Sequence, residues 1–290
     1  MHESPFALSG IADEAGKPIE RQIAAHKELG WKYIELRNVD GTSIIDLPEE
    51  RFEAVSAALA DAGLSVSGLA SPIANWSTRI TDPFEKSVDP LRRAIPRLQH
   101  FRTPYIRVMS YPNNGLEQSA WGDESIRRMR ELGKIAQDGG AILLVENCDG
   151  WACLSPRHYA EYFERVDSPA VKAVYDTGNP ASHGHTNTWE WYQAARPHIA
   201  YVHIKAHTGP AGRHAWPDEG HSCVEETLRQ LLETGYRGYV SIEPHIHDVA
   251  KKEASYAEAV AAGEDTAFRS YVEYGRRLSA VLAAATGAVA

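Results

Sequence analysis

Four short apolar runs in this chain each end on a single polar side chain, and they recur at nearly even intervals. AILLVENC (141–148) stops at Glu146, VKAVYDTGN (171–179) at Asp176, IAYVHIKAH (199–207) carries His203, and GYVSIEPH (238–245) ends on Glu243 with Pro244 directly behind it. Runs of this length, rich in β-branched residues, form strands buried in a parallel sheet. The four polar residues are separated by 30, 27 and 40 positions. That is close to one strand–helix–strand unit of about 30 residues. Four equivalent strands would then present four polar side chains at one end of a sheet. In a closed parallel barrel, that C-terminal end is where sites are built.

The rest of the chain repeats the alternation. Strands are expected at 6–11, 32–36, 64–69, 104–109, 141–146, 171–176, 199–204 and 239–243. Helices are expected at about 17–29, 48–62, 83–102, 122–138, 155–166, 188–196, 222–234 and 265–285. Phe52, Val55 and Leu59 share one helical face, as do Val224, Leu228 and Leu231, and Phe268, Tyr271, Leu278 and Leu282. Gly30, Gly63, Gly139 and Gly235 stand where helices should stop. Eight strands alternating with eight helices is the count of an α/β (β/α)8 TIM barrel. A chain of 290 residues suits one such domain over 1–290, with 1–5 and 286–290 as frayed ends. A doubly wound open sheet is the competitor, but no glycine-rich phosphate loop follows the first strand. Helix-to-strand turns are short, whereas 70–82, 110–121, 177–187, 205–221 and 244–264 are long, so function is expected on that face. Trp76, Trp121, Trp151 and Trp216 fall on those loops, either to stack on sugar rings or to close the loops over the barrel.

Composition narrows the function classes. Apolar residues make up 43% and charged residues 24%, the mix of an ordinary globular protein. The net charge of −9, from 30 basic and 39 acidic residues, argues against a nucleic-acid surface and against an anionic membrane. No run approaches a membrane span, and MHESPFALSG lacks a secretory pattern. Three cysteines, Cys148, Cys153 and Cys223, read as free thiols in a reducing, cytoplasmic compartment.

Glu146, Asp176, His203 and Glu243 make three carboxylates and one imidazole. The bland alternative is that each strand-end carboxylate pairs with Lys205, Arg107 or Arg37. Three anionic groups brought together without a cation would repel and take up protons, a conflict that a divalent ion removes. Hard oxygen ligands with one nitrogen point to Mn²⁺ first, with Mg²⁺, Co²⁺ or Zn²⁺ as substitutes. Side chains two apart on a strand share a face, so Lys205 follows His203 toward the mouth and His245 follows Glu243. Glu35 in YIELR ends the second strand in the same manner, as a buried partner of Arg37 or Lys205 or as a substrate contact. His183, His185 and His207 sit on site-facing loops. HAWPDEGH (214–221), which contains Trp216 and Glu219, is a polar loop suited to a substrate lid or to solvent.

At these residues the chain resembles the xylose-isomerase-like barrel superfamily of sugar phosphate isomerases and epimerases. The resemblance runs from about residue 8 to 280 and rests on GIADEAG, YIELRNVDG, VENCDG, YDTGN, YVHIKA, WPDEGH and SIEPH. It implies that Glu146, Asp176, His203 and Glu243 bind one divalent ion. It also implies that Glu146 and Glu243 are the catalytic pair that moves protons. Two departures count against carrying over a ketose-3-epimerase mechanism. Asn179 stands three residues after Asp176, where such epimerases often have His, and Ala206 follows Lys205 where many members have Asp. A DNA-repair endonuclease branch would need further His ligands, including one at position 179, and a basic surface.

The function expected is a metal-dependent isomerase or epimerase of a keto sugar or related polyol, working through an enediolate. Glu35, Lys205, His183, Trp216 and Glu219 are its expected substrate contacts. The alternative is a lyase that splits 3-keto-glycosides or dehydrates a keto-inositol, with His183, His185, His207 or His245 protonating the leaving group. The partner expected is a small sugar, with neither nucleic acid nor membrane; a homo-oligomer or a small partner subunit is compatible with either reading.

Overall fold

A computed structural model describes residues 4–287. Eight parallel strands run β1 (Ala7–Gly10), β2 (Tyr33–Leu36), β3 (Ser65–Ala70), β4 (Tyr105–Ser110), β5 (Ile142–Gly150), β6 (Val171–Asp176), β7 (Ile199–Ile204) and β8 (Tyr239–Ile242). They pair in the order β1–β8–β7–β6–β5–β4–β3–β2. A parallel bridge between Ile11 and Glu35 closes β1 against β2. The helices that follow the strands are α1 (Ile19–Leu29), α2 (Glu49–Asp61), α3 (Glu85–Phe101), α4 (Gln118–Asp138), α5 (Pro156–Val166), α6 (Thr188–Ala195), α7 (Val224–Glu233) and α8 (Thr266–Gly287). This is the (β/α)8 barrel that the alternation demands. No helix among the described residues is long and apolar enough to cross a membrane.

The helices bury the faces their spacing marks out. Phe52, Val55 and Leu59 on α2, and Val224, Leu228 and Leu231 on α7, all lie in the core. On α8, Tyr271, Leu278 and Leu282 do the same, while Phe268 is half-buried under the guanidinium of Arg21. Of the expected frayed ends, residues 1–3 and 288–290 lie outside the described residues, and Thr286 and Gly287 continue α8. Two elements run further than their patterns suggest. Helix α4 begins at Gln118, so Trp121 sits in its first turn rather than on a loop. Strand β5 continues past Glu146 to Gly150. Gly150, at φ 100°, comes so close to Ser110 that a Cβ would lie 2.4 Å from a backbone carbon there.

The barrel interior is filled in layers. Near the strand starts, Tyr33, Tyr105, Tyr201 and Tyr239 pack edge to face and tilted, with centroids 5.1–6.0 Å apart. Above them Ser9, Ser67 and the Tyr201 hydroxyl form a buried hydrogen-bonded chain of 2.7 and 2.8 Å. Tyr201 then donates to Glu35 at 3.0 Å. The core therefore turns polar toward the strand ends, and that gradient leads into the mouth.

Candidate metal centre

Glu146, Asp176, His203 and Glu243 converge at the C-terminal end of β5–β8, each offering a ligand atom within 4.8 Å of the others. All four are buried. Their placement follows from the local chain. The amide of Glu243 extends the β8 ladder one residue, donating to the Ile204 carbonyl at 3.1 Å. Pro244 holds this residue extended, and His245, at φ 47°, then turns the chain away. Asn147, directly after Glu146, uses its side-chain amide like a strand: it accepts from Asp176 N at 2.7 Å and donates to Asp176 O at 2.9 Å.

Each carboxylate divides its two oxygens between the protein and the cluster. Asp176 Oδ1 accepts from the amides of Gly178 and Asn179 at 2.8 and 2.7 Å, while Oδ2 meets no hydrogen-bond donor among the described residues. Glu243 Oε1 accepts from Arg37 at 2.9 Å. Glu146 Oε2 accepts from Arg107 at 2.9 Å, while Oε1 faces His203 Nδ1 at 3.4 Å and accepts from Asn179 Nδ2 at 3.1 Å. The Lys205 ammonium lies 2.8 Å from Glu243 Oε2 and 3.4 Å from Asp176 Oδ2. Those are ion-pair contacts without hydrogen-bond alignment, so both oxygens remain without a directed donor. Buried anionic oxygens in that state are rare unless a cation takes them. Three inward oxygens and one imidazole nitrogen fit a single hard divalent ion.

The electrostatics carry the same tension. Burial works most strongly against a charged Glu146, but Arg107 and His203 together outweigh it and hold the group at about 2. Glu243 is likewise buried yet held well below the carboxylate range by Lys205, His245 and Arg37. Asp176 is the group that gives way: burial raises it, with Glu146 and Glu243 adding to the rise against the pull of Lys205. Burial opposes a charged His203, but Glu35 and Glu146 raise it to about 10.

Glu35 lies one layer deeper. It is 2% exposed and accepts from His203 Nε2 at 3.1 Å, Tyr201 at 3.0 Å and Ser241 at 2.6 Å. Its partner is thus His203, a pairing not foreseen for it. With Glu35 accepting at Nε2, the Nδ1 nitrogen is the one aimed at the cluster, a carboxylate–histidine arrangement that orients metal ligands. Lys205 reaches the cluster and donates to Asn179 Oδ1 at 3.1 Å. Gly178 makes room for it, since a Cβ there would lie 2.7 Å from the Lys205 stem.

The remaining expected contacts are dispersed. His183 is exposed and lies within electrostatic reach of Lys205 and Glu146; partial desolvation of its ring, with the Lys205 charge adding to it, depresses its pKa. Trp216 is 1% exposed, donates to Glu253 at 2.7 Å and lies under Arg277 of α8. Glu219 is exposed and pairs with the same Arg277 at 3.5 Å. His185 packs edge-on to Trp191, and His207 is buried beside His214. His245 instead pairs with Glu14, Nδ1 to Oε1 at 2.9 Å, beside Glu243. Of the four loop tryptophans, Trp121 and Trp151 are buried like Trp216, and Trp76 is 61% exposed. Arg107 and Asn179 are the residues that sequence reasoning undervalued. An arginine within the apolar run YIRVMS was the available signal, because a charge in a buried strand needs a partner.

Comparison with known proteins agrees with this fold. Residues 23–266 match the xylose isomerase-like TIM barrel family. An uncharacterised protein of Methanocaldococcus jannaschii is 28% identical over 134 residues, spanning 44% of this chain and 46% of that protein, so the match covers about half of the curated relative. A D-tagatose 3-epimerase-like protein superposes with a TM-score of 0.74 at 18% identity, over 97% of this chain and 99% of the other. A xylose isomerase-like TIM barrel protein from Mycobacterium smegmatis, in complex with magnesium, gives 0.69 at 21% identity and 98% of both chains. The 3-keto-D-glucoside 4-epimerase of E. coli gives 0.67 at 17% identity, over 94% and 99%.

Proposed function

This chain belongs to the xylose isomerase-like TIM barrel family, and from that premise we propose that it is a divalent-metal-dependent isomerase or epimerase of a keto sugar or related polyol. The observation that carries the reading is the matched pair of glutamates. Glu146 and Glu243 each have one oxygen held by an arginine and the other turned toward Asp176 and His203. Glu146, Asp176, His203 and Glu243 would hold the ion, Mn²⁺ or Mg²⁺ by the oxygen-rich donor set. When bound, it would polarise a substrate carbonyl and acidify the neighbouring C–H.

The chain's own residues supply the rest. Arg107 and Arg37 fix the two carboxylates and keep them charged, which orients them but makes them weak bases; the acidified proton compensates. One glutamate takes the proton from carbon and the other returns one, on the same or the adjacent carbon. Lys205, 3% exposed and positively charged, can face a substrate oxyanion. Asn179 ties Lys205 to Glu146 and holds the proton-moving group and the oxyanion partner in register. The three free thiols support a reducing, cytoplasmic setting.

The test is proton exchange by NMR in D₂O across ketoses, 3-keto-glucosides and keto-inositols, together with metal content. Solvent deuterium should enter one carbon position, and alanine at any of the four cluster residues should lower metal content and exchange together. A His203→Ala protein with a full complement of metal would remove His203 from the set. The His245–Glu14 pair supports a second reading, a lyase. Burial opposes a charged His245, but Glu14 outweighs it and raises its pKa, so the imidazolium beside Glu243 could protonate a leaving group. Loss of turnover in His245→Gln with metal retained, and no exchange in any ketose, would select the lyase.

A further inference from the structure

Between α3 and α4, just past the end of β4, three buried polar atoms come together without partners. Ser87 Oγ from the first turn of α3, Tyr111 Oη from the residue after β4 and Arg128 Nη1 from α4 meet no hydrogen-bond partner among the described residues. Ser87 and Tyr111 are fully buried, and the Arg128 side chain is 9% exposed. Tyr111 joins the three. Its ring centroid lies 5.4 Å from the Arg128 guanidinium carbon. Burial pushes its phenol up to about 12, against the pull of Ser87 beside it and of Arg128. The same guanidinium lies over the ring of Phe84 at 5.6 Å, so aromatic faces rather than water surround it. Tyr111 is not left unpaired by slack in the chain. Its amide donates to the Ala74 carbonyl at 3.0 Å, and its own carbonyl accepts the Trp121 indole N–H at 2.8 Å.

The charges around these atoms do not balance. Glu124 serves two arginines, accepting from Arg127 Nε and Nη2 and from Arg128 Nε, all at 2.7 Å. Lys86 pairs separately with Asp82 at 3.4 Å. One positive charge is left over among these groups. Arg127 is 54% exposed and therefore solvated, so the charge that water does not reach is at Arg128 Nη1. A buried group that can only donate is costly in that state. A water molecule would serve the two hydroxyls and leave the charge unmatched. A monovalent anion accepts from all three donors and cancels it. We propose that Ser87, Tyr111 and Arg128 bind a small inorganic anion of halide size, which ties the segment after β4 to α3 and α4. The site is separate from the metal cluster and does not draw on the reaction proposed above.

The experiment exchanges potassium gluconate for potassium chloride or bromide at constant ionic strength and follows thermal unfolding of the full chain. Gluconate is too large for a site of three inward donors. The wild type should show a saturable rise in melting temperature, roughly 3–6 °C at a halide concentration about ten times the Kd. Arg128→Met removes the charge and should abolish the rise. Tyr111→Phe removes one hydroxyl, keeps the ring, and should cut the rise by at least about half; it carries the test if Arg128→Met does not fold. Crystals grown in bromide should show anomalous scattering between Ser87, Tyr111 and Arg128. Equal melting of the wild type in gluconate and halide overturns the proposal. So does a rise that survives both variants, since the anion would then sit elsewhere, the metal cluster included. A water molecule at that place in the bromide crystals, with no anomalous signal, overturns it as well.

Discussion

His203 shows how one residue couples the site to protons. Glu35 behind it and Glu146 beside it hold the imidazole protonated up to about 10, although its burial pulls the other way. An ion at Nδ1 must expel that proton. Uptake of a divalent ion near neutral pH is therefore expected to release about one proton per chain, with apparent affinity rising with pH. Calorimetry in buffers of different protonation enthalpy measures the release, and His203→Asn should abolish it along with most of the affinity. Uptake without proton release would mean that His203 is not a ligand. In ion-free protein the same group is raised in the folded state, so its stabilisation is fully present below the ordinary histidine value of 6.5 and fades as pH rises toward about 10.

Between elements, the contact of α1 with α8 carries a second histidine of the opposite kind. His26 is fully buried, donates through Nδ1 to the Gln22 carbonyl at 2.9 Å, and packs against Trp31 and Tyr271. Among the described residues no carboxylate answers it, and burial lowers its pKa from 6.5 to about 4. The folded state resists protonation that the unfolded chain accepts, so stability is full above about 6.5 and declines as pH falls toward about 4. Each pKa unit is worth about 1.4 kcal/mol, so the loss attributable to His26 is on the order of 3 kcal/mol. Urea denaturation from about pH 7 to about pH 4 should show a shallower decline in His26→Gln than in the wild type. Parallel slopes in the two proteins would assign the acid sensitivity elsewhere.

For the molecule as a whole, the mouth gathers the carboxylates of Glu146, Asp176 and Glu243 with Arg37, Arg107, Lys205 and His203, charges that the barrel holds out of water at a cost. An ion that binds only the folded chain adds about 2.7 kcal/mol at a free concentration about a hundred times its Kd. For a domain of this size that amounts to several degrees in melting temperature, at roughly 2–4 °C per kcal/mol. Mn²⁺ or Mg²⁺ should raise the melting temperature of the wild type by that amount and leave Asp176→Asn nearly unmoved, because the amide keeps the size but loses the charge on Oδ2. An equal rise in both proteins would place the ion outside this cluster.

Period and spacing were enough to specify the barrel, because strand and helix periods and the strand–helix repeat are local properties of the chain. They also put Glu146, Asp176, His203 and Glu243 at equivalent strand ends. What the local pattern could not contain is which oxygen of each carboxylate is occupied. That depends on Arg37 from β2's end, Arg107 from β4 and Asn179 after β6, residues brought to the mouth only when the barrel closes. Glu35 looked like a partner for Arg37 or Lys205 on sequence proximity and shared face, yet the register of β2 against the interior sets it beneath His203. The loop tryptophans carried equal promise as letters; packing buried Trp121, Trp151 and Trp216 and left Trp76 at the surface. A side chain's exposure and its choice among several charged partners are decided by contacts between segments far apart in the chain, and those exist only in the folded molecule.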